Sequence, residues 1–285
     1  MKILLLGKSG ILGSYFDFSL KDFSVSVFSP SSEELNICDY SSVRKYLLDL
    51  KPDFVINCTG YTAVDDAETN KEDASKLNAE AVGELASSCK ESDSILIHFS
   101  TDYVFDGENP DGYTEDSPVV PINVYGESKL EGEKLVANNM DKYFIVRTSW
   151  LFGRPEKDFV GTMLRLAKDR DELSVVTDQI GSPTFAGDLA DAVIKNFVNV
   201  DAKPSFGVYH LTNSGVCSWY DFAEKIFELA QTNIKLNKVG SEAFPRPAKR
   251  PKCSVLLNTK LDFRMRPWGK ALEEYIPLSL AKGRS

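Results

Sequence analysis

The sequence predicts an α/β protein whose first half is a doubly wound parallel sheet. The main observation is the alternation of short apolar, strand-like stretches with helix-like stretches through residues 1–150. Such alternation implies parallel strands joined by helical crossovers that cover both faces of the sheet. Three glycines, spaced three residues apart between the first strand and the first helix, support this fold class. The alternation loosens after RTSWLFG (147–153), which indicates a second, smaller α/β domain.

The first strand and its glycine loop are the most informative local feature. The run Ile3–Leu6 is short, apolar and bounded by a turn, as is typical of a strand buried on both faces. Gly7, Gly10 and Gly13 follow, before apolar residues recur at helical spacing. Glycine permits a tight turn and lets a pyrophosphate approach the helix N-terminus, whose free N–H groups attract anions. The spacing is G-x-x-G-x-x-G, but the strand–loop–helix context favours a Rossmann-type dinucleotide site over a merely glycine-tolerant loop.

The remaining elements follow in order along the chain. Strand-like stretches continue with FSVSVF (23–28), KPDFVINC (51–58), SILIHFS (94–100), YFIVRTS (143–149) and GVYHLTN (207–213). Helix-like stretches are SVRKYLLDL (42–50), EDASKLNAEAVGELASSCK (72–90), YGESKLEGEKLVANN (125–139), DFVGTMLRLAKD (158–169) and SWYDFAEKIFELA (218–230). We expect residues 1–150, joined by 183–213, to form the first domain. Residues 151–285 are expected to form mainly the second domain, which covers the strand ends of the first.

Composition excludes several classes of function. The formal net charge of the 285 residues is -9, which argues against a nucleic-acid-binding face. No apolar run is long enough to cross a bilayer, so we expect no membrane partner. The five cysteines are scattered, without metal-site spacing or a disulfide framework, and this is typical of a reducing compartment. We therefore expect a cytoplasmic protein without a metal site.

A tyrosine and a lysine carry the candidate chemistry. Tyr125 and Lys129 are four residues apart, so they share one face of a helix. A neighbouring cation lowers the pKa of a phenol, which could then pass a proton to a carbonyl oxygen while a hydride reaches the carbon. A pair of this spacing also arises by chance, and a surface helix with an exposed lysine is the alternative. The hydroxyl-rich stretch Ser100–Tyr103 ends a middle strand, where parallel sheets bind their ligands, and so favours the catalytic reading.

Matching stretches in order along nearly the whole chain resemble the extended short-chain dehydrogenase/reductases, and more closely the dTDP-4-dehydrorhamnose reductase family. The stretches are MKILLLGKSGILG, KPDFVINCTGYTAVDDAE, FSTDYVFDG, YTEDSPVVPINVYGESKLEGE, RTSWLFG, DQIGSPT, GVYHLTNSGVCSWYDFA and RPAKRPKCSVLLN. The resemblance implies NADPH-dependent reduction of the 4-keto group of dTDP-4-dehydro-L-rhamnose to dTDP-L-rhamnose, a step of polysaccharide biosynthesis. It also implies a first domain that binds NADP, a second that binds the dTDP-activated 4-keto-6-deoxysugar, and a monomer or homodimer.

The resemblance also assigns roles to residues. Tyr125 would be the proton donor, Lys129 would lower its pKa and hold the nicotinamide ribose, and Thr101 would hydrogen-bond the reacting oxygen. The substrate would contact Thr101, Asp102, Trp150 and Arg250. The cofactor would contact Gly7, Gly10, Ile11, Leu12, Gly13, Asn36, Ile37, Gly60, Tyr61 and Thr62, together with Tyr125 and Lys129.

Cofactor preference follows from the end of the second strand. An NAD-selective site usually has an acid there to hold the ribose 2′-hydroxyl, whereas this chain continues Ser29–Ser32. Lys8 in the glycine loop would add attraction for a 2′-phosphate. Thr59-Gly60 and Asn36 depart from the family pattern of alanines and an aspartate. We therefore expect NADPH to be used at least as well as NADH, with NADH also accepted.

Several alternatives stay open at this point. The chain could reduce another nucleotide-activated 4-keto-deoxysugar. A sugar-nucleotide dehydratase or epimerase is disfavoured, because Tyr103 stands where a dehydratase carries a glutamate after its Thr-Asp pair. A non-catalytic role resembling the regulatory beta subunit of methionine adenosyltransferase is the third. Trp150 could belong to the core and Arg250 to a solvated loop, while His98 and His210 are interpreted as core residues.

Overall fold

The structure is a computed structural model that describes residues 1–198 and 204–282. Its strands are β1 (Lys2–Leu6), β2 (Ser26–Phe28), β3 (Phe54–Asn57), β4 (Ile95–Thr101), β5 (Tyr143–Thr148), β6 (Leu151–Phe152), β7 (Glu172–Val176), β8 (Ile180–Gly181), β9 (Thr184–Phe185), β10 (Gly207–His210), β11 (Asn213–Ser214), β12 (Cys217–Ser218), β13 (Lys235–Val239) and β14 (Met265–Pro267). Its α-helices are α1 (Ile11–Ser19), α2 (Tyr40–Leu50), α3 (Val64–Ala67), α4 (Lys71–Ser75), α5 (Ala81–Glu91), α6 (Val124–Asn139), α7 (Phe159–Asp169), α8 (Ala186–Val193), α9 (Trp219–Leu229) and α10 (Trp268–Lys282).

The largest sheet has six parallel strands in the order β10-β5-β4-β3-β1-β2. β2 lies on one side of β1, and β3, β4, β5 and β10 follow in that order on the other side. Helices α1 and α8 cover one face, and α2, α5 and α6 cover the other. The predicted Rossmann-type doubly wound fold is confirmed. The direction reverses between β1 and β3, so the crevice beyond their carboxyl ends is the expected ligand site.

The first strand shows why the sequence produces a sheet with two covered faces. Side chains alternate between the faces of a strand, so Ile3 and Leu5 enter the core beneath α1 and α8. Leu4 and Leu6 enter the opposite core beneath α2 and α5. All four side chains are at most 2% exposed. An unbroken apolar run is therefore needed here, as the sequence predicted.

The helix predicted over residues 72–90 is interrupted. The structure has α4, a π-helical turn at Lys76–Glu80, and α5 in its place. The wide turn contains Asn78, which is fully buried. Gly132 of α6 faces this turn, and a Cβ there would lie 2.1 Å from the Asn78 carbonyl oxygen. Helix α6 and the π-helical turn therefore approach each other at Gly132 more closely than a residue with a side chain would allow.

A smaller α/β part follows β5. The parallel pair β7–β13 packs with α7, α9 and α10 around a core that includes Phe152, Phe222 and Tyr275. The predicted helices 158–169 and 218–230 correspond to α7 and α9, whereas α8, α10 and the β7–β13 pair were not predicted. Residues 199–203 and 283–285, which fall within the predicted ranges 183–213 and 151–285, lie outside the described residues. Within the described ranges, no helix is both long and apolar enough to cross a membrane.

Candidate active site

The glycine loop after β1 has the geometry of an anion cradle. Gly7 has φ +81°, and a Cβ there would lie 2.8 Å from the carbonyl carbon of Cys58. A Cβ on Gly13 would lie 2.2 Å from the Gly7 carbonyl oxygen. Helix α1 begins after Gly10, which provides no side-chain cap, so its first N–H groups are available to an anion. These residues fit the pyrophosphate of a dinucleotide.

The other predicted cofactor residues differ in how far their side chains are exposed. Ile11 is half-buried and Leu12 is buried in the core, so Leu12 would contribute its backbone. Asn36 is exposed, and its Oδ1 accepts a hydrogen bond from the Cys38 N–H at 2.9 Å. The Ile37 side chain packs into the core beside β1 and is 5% exposed. A contact of Asn36 and Ile37 with the adenine stays a prediction.

Asn78 holds the loop Gly60–Thr62 in place. The Tyr61 N–H donates to Asn78 Oδ1 at 2.8 Å, and Asn78 Nδ2 donates to the Tyr61 carbonyl at 3.0 Å. The same amide donates to Ser128 Oγ at 3.0 Å, next to Lys129 on α6. Sequence reasoning missed this residue. The only sign of Asn78 in the sequence is a polar side chain within a predicted helix that is packed against other elements on two faces.

Thr101 and Tyr125 meet at the carboxyl end of β4. Helix α6 is N-capped by Asn123, whose Oδ1 accepts from the Gly126 N–H at 2.8 Å, and Tyr125 lies in its first turn. Burial raises the pKa of Tyr125 to about 12, and a hydrogen bond with Thr101 opposes this shift. The phenol is therefore protonated near neutral pH, as a proton donor must be.

Lys129 lies one helical turn further along α6 and is 3% exposed. Its Nζ donates to the Phe99 carbonyl at 2.7 Å and lies 3.1 Å from His98 Nε2. Burial lowers the pKa of Lys129 to about 8. The expected lowering of the Tyr125 pKa by Lys129 stays a prediction. His98 is buried, as the sequence indicated, and it also contacts a predicted catalytic side chain.

Buried polar atoms without protein partners cluster at this edge of the sheet. Asp102 is 3% exposed, and its Oδ1 accepts from the Thr101 hydroxyl at 3.0 Å. Among the described residues, Asp102 Oδ2, Ser100 Oγ and Thr148 Oγ1 have no hydrogen-bond partner. Buried polar groups are normally satisfied by protein or water, so these atoms are candidates for hydrogen bonds to water or to a ligand. Burial raises the pKa of Asp102 to about 6.

We expect Asp102→Asn to stabilise the fold at neutral pH. The folded pKa of Asp102 lies above its unfolded value, so the folded state binds more protons between about pH 4 and pH 6, and stability falls as pH rises through that window. The cost of the charge is of the order of 2–3 kcal/mol above pH 6. Thermal unfolding should show a melting temperature a few degrees above the parent at pH 7.5. An equal difference at pH 4 would contradict this cause.

A cleft of 730 Å³ separates this edge from the second part of the molecule. Tyr103 lines the cleft, and its ring centroid lies 5.8 Å from that of Tyr125. Its lining includes Trp219 and the three arginines Arg170, Arg246 and Arg250. Glu172 also lines the cleft, so its lining has three basic side chains and one acidic one, an excess of positive charge that suits an anionic ligand.

Two predicted substrate residues have partners in the structure. Arg250 forms an ion pair with Asp65 at 2.9 Å, and Arg246 reaches the same carboxylate at 3.3 Å. Trp150 is absent from the residues that line the cleft. It stacks at 3.7 Å on Trp219, which does line it, and its backbone is left-handed at φ +46°. Within residues 1–198 and 204–282, no group of His, Cys, Asp or Glu side chains could hold a metal ion.

Comparison with known proteins identifies the family. The sequence profile described as the RmlD substrate binding domain matches residues 1–280. The chain belongs to this family. The match spans both parts of the molecule, so the resemblance predicted from the sequence is confirmed.

Proteins similar to this chain, two of them with solved structures, match it over nearly its whole length. A dTDP-4-dehydrorhamnose reductase from Clostridium acetobutylicum has a TM-score of 0.93 and 44% identity, covering 98% of this chain and 99% of that one. A dTDP-4-dehydrorhamnose reductase from Bacillus anthracis, solved in complex with NADP, has a TM-score of 0.93 and 37% identity, covering 97% and 99%. The dTDP-4-dehydrorhamnose reductase of Burkholderia thailandensis is 39% identical over 279 residues, 93% of each chain.

Proposed function

We propose that the protein is an NADPH-dependent oxidoreductase that reduces the 4-keto group of dTDP-4-dehydro-L-rhamnose to give dTDP-L-rhamnose. The observation that carries the proposal is the grouping of the buried Thr101 and Lys129 with the half-buried Tyr125 at the carboxyl edge of the sheet, the edge that also carries the glycine cradle. The names of the relatives and the NADP bound by one of them support it.

NADPH, when bound, supplies the hydride. Tyr125 is protonated near neutral pH and donates its proton to the ketone oxygen as the alcohol forms. As the resemblance implies, Thr101 would hydrogen-bond the same ketone oxygen. Lys129 holds the nicotinamide ribose and, once charged, stabilises the phenolate that Tyr125 becomes.

NADP and the sugar nucleotide each bind mainly to a different domain. Residues 1–150 with 183–213 bind NADP, and the remainder of 151–285 binds the sugar nucleotide. Support comes from β10, which completes the main sheet beside β5, and from α8, which packs on α1. The arginine-lined cleft between the two parts suits the diphosphate of dTDP.

The direct test mixes purified protein, NADPH and dTDP-4-dehydrorhamnose and follows the absorbance of the reduced nicotinamide. Turnover with formation of dTDP-L-rhamnose is expected. Faster turnover of another nucleotide-activated 4-keto-deoxysugar would make that sugar the assigned substrate. No turnover with any such ketone, with recovery of the chain in complex with a larger synthetase, would favour the regulatory alternative.

NADPH should be used at least as efficiently as NADH. No acid follows β2 directly, although Asp17 Oδ1 accepts from Ser29 Oγ at 3.4 Å and Glu34 accepts from the Ser31 N–H at 2.7 Å. These two carboxylates moderate the preference for a 2′-phosphate, so we expect a small ratio of kcat/KM between the cofactors. Steady-state kinetics with both cofactors measures it. A tenfold or greater preference for NADH would overturn the expectation.

Arg250→Gln should raise the KM for the sugar nucleotide about tenfold while leaving the NADPH Kd unchanged, because a guanidinium that binds diphosphate in a fork geometry is lost. The matched variant is Asp65→Asn, which removes the carboxylate that pairs with Arg250. A diphosphate role predicts that this variant keeps or lowers KM. If both variants raise KM equally, Arg250 acts only through its ion pair with Asp65.

A further inference from the structure

A chain of hydrogen bonds runs behind the active site from the backbone of Thr59 to Lys129. The Thr59 N–H donates to Asn57 Oδ1 at 3.1 Å. Asn57 Nδ2 lies 3.2 Å from His98 Nδ1, and His98 Nε2 lies 3.1 Å from Lys129 Nζ. Asn57, His98 and Lys129 are each at most 3% exposed, so these side chains depend on one another for partners.

The backbone sets the direction of this chain. An N–H group can only donate, so Asn57 presents its oxygen to Thr59 and its NH₂ group to His98. Burial, the largest cause, holds the pKa of His98 well below its usual value whether or not Lys129 is charged, so the imidazole is neutral. A neutral imidazole that accepts at Nδ1 carries its proton on Nε2. That proton points at Lys129 Nζ.

The charged and neutral forms of Lys129 differ in whether they can accept a hydrogen bond from the Nε2–H of His98. An ammonium has three donors and no acceptor, so it opposes the Nε2–H of His98. A neutral amine accepts from Nε2–H and still donates to the Phe99 carbonyl. We propose that Asn57 and His98 are positioning residues that favour the neutral amine of Lys129 in the cofactor-free protein, so that cofactor binding is coupled to proton uptake by Lys129.

The groups around Lys129 are consistent with a proton equilibrium in an accessible pH range. Glu133 lies one turn further along α6 and raises the pKa of Lys129, while burial lowers it more, to about 8. The Glu133 carboxylate is itself held by Arg147 of β5, at 2.9 and 2.6 Å. Tyr125 lies one turn before Lys129 and is protonated in this range.

The coupling to cofactor follows from the same chemistry. The ribose hydroxyl oxygens of a bound dinucleotide accept hydrogen bonds, and its phosphates are negative, so both favour the ammonium. The proton comes from solvent. This second half of the inference rests on the proposed function, whereas the direction of the hydrogen bonds is a property of the cofactor-free chain.

The first experiment measures histidine tautomers by ¹⁵N NMR of cofactor-free protein labelled at histidine. The chain has two histidines, and they should differ. His98 should carry its proton on Nε2. His210 should carry it on Nδ1, which lies 3.1 Å from the Leu257 carbonyl oxygen and must donate to it. His98→Gln assigns the signals. An Nδ1–H tautomer for His98 in the parent protein would overturn the inference.

Asn57→Asp should reverse the direction. A carboxylate accepts from both Thr59 N–H and His98 Nδ1–H, which frees Nε2 to accept from an ammonium. We expect the His98 tautomer to switch and the pKa of Lys129 to rise. Thr59→Ala is the matched control, because it removes the hydroxyl that also donates to Asn57 Oδ1 at 2.6 Å but keeps the backbone N–H, and so should keep the parent tautomer. An unchanged tautomer in Asn57→Asp would contradict the mechanism.

Proton uptake tests the coupling. Calorimetric titration of NADPH at about pH 9, in buffers of different ionisation enthalpy, counts the protons taken up on binding. The parent protein and Thr59→Ala should take up close to one proton, and Asn57→Asp close to none. Binding without uptake in the parent would refute the coupling, while absence of NADPH binding would count against the proposed function and leave the tautomer result standing.

Discussion

Tyr125→Phe should lower kcat by about a hundredfold or more, with the NADPH Kd and the melting temperature close to those of the parent. A phenylalanine keeps the ring that packs near Tyr103 but has no proton to give to the ketone oxygen. The loss belongs to the chemical step, so it should appear in kcat and in kcat/KM alike. Steady-state assays with dTDP-4-dehydrorhamnose and fluorescence titration of NADPH measure the two parts.

Tyr143→Phe is the control for this substitution. Tyr143 begins β5 at the amino edge of the sheet, opposite the candidate site, so removal of its hydroxyl should leave kcat unchanged. Turnover of Tyr125→Phe within a few-fold of Tyr143→Phe would remove Tyr125 from the role of proton donor and with it the central step of the proposed mechanism.

Gly13→Ala should weaken NADPH binding at least tenfold and destabilise the protein. The added methyl would lie 2.2 Å from the Gly7 carbonyl oxygen and 2.8 Å from the Lys8 Cα, so backbone must move. Overpacking of this kind costs about 1–3 kcal/mol, and the displaced segment is the proposed pyrophosphate cradle. Fluorescence titration and thermal unfolding report the two effects separately.

Gly269→Ala provides the comparison. A Cβ at Gly269 meets no atom within 4 Å, and the residue lies in the first turn of α10. It should bind NADPH like the parent and be no less stable. A normal NADPH Kd for Gly13→Ala would mean that the close approach of α1 to the glycine loop serves packing alone.

The sequence predicted those features that depend on local pattern. Continuous apolar strands and their alternation with helices specify the parallel sheet, and Gly7 and Gly13 stand where the backbone approaches itself closely. The proximity of Thr101 and Tyr125 followed from strand ends and helix spacing together with a family resemblance. These signals lie within short stretches, so they can be read without knowing which distant segments meet.

The features that were missed depend on contacts between distant segments. Asn57 and His98 are 41 residues apart, and their pairing follows only from the register of β3 and β4. Asn78 acquires its role from a π-helical turn that no composition predicts. Arg250 stands out as a basic residue, but its ion pair with Asp65 requires the C-terminal loop to fold back over the first domain.

The last strand of the main sheet has a consequence for how the molecule folds. β10 pairs with β5, Val208 opposite Ile145, although α7, β7 and α8 lie between them in the chain. During synthesis, a nascent chain of about 150 residues presents β5 as an open edge, a surface prone to pairing with other chains. Closing that edge requires a contact of large sequence separation, which folds slowly. The six-stranded sheet is therefore completed only after α7 and β7 have been synthesised.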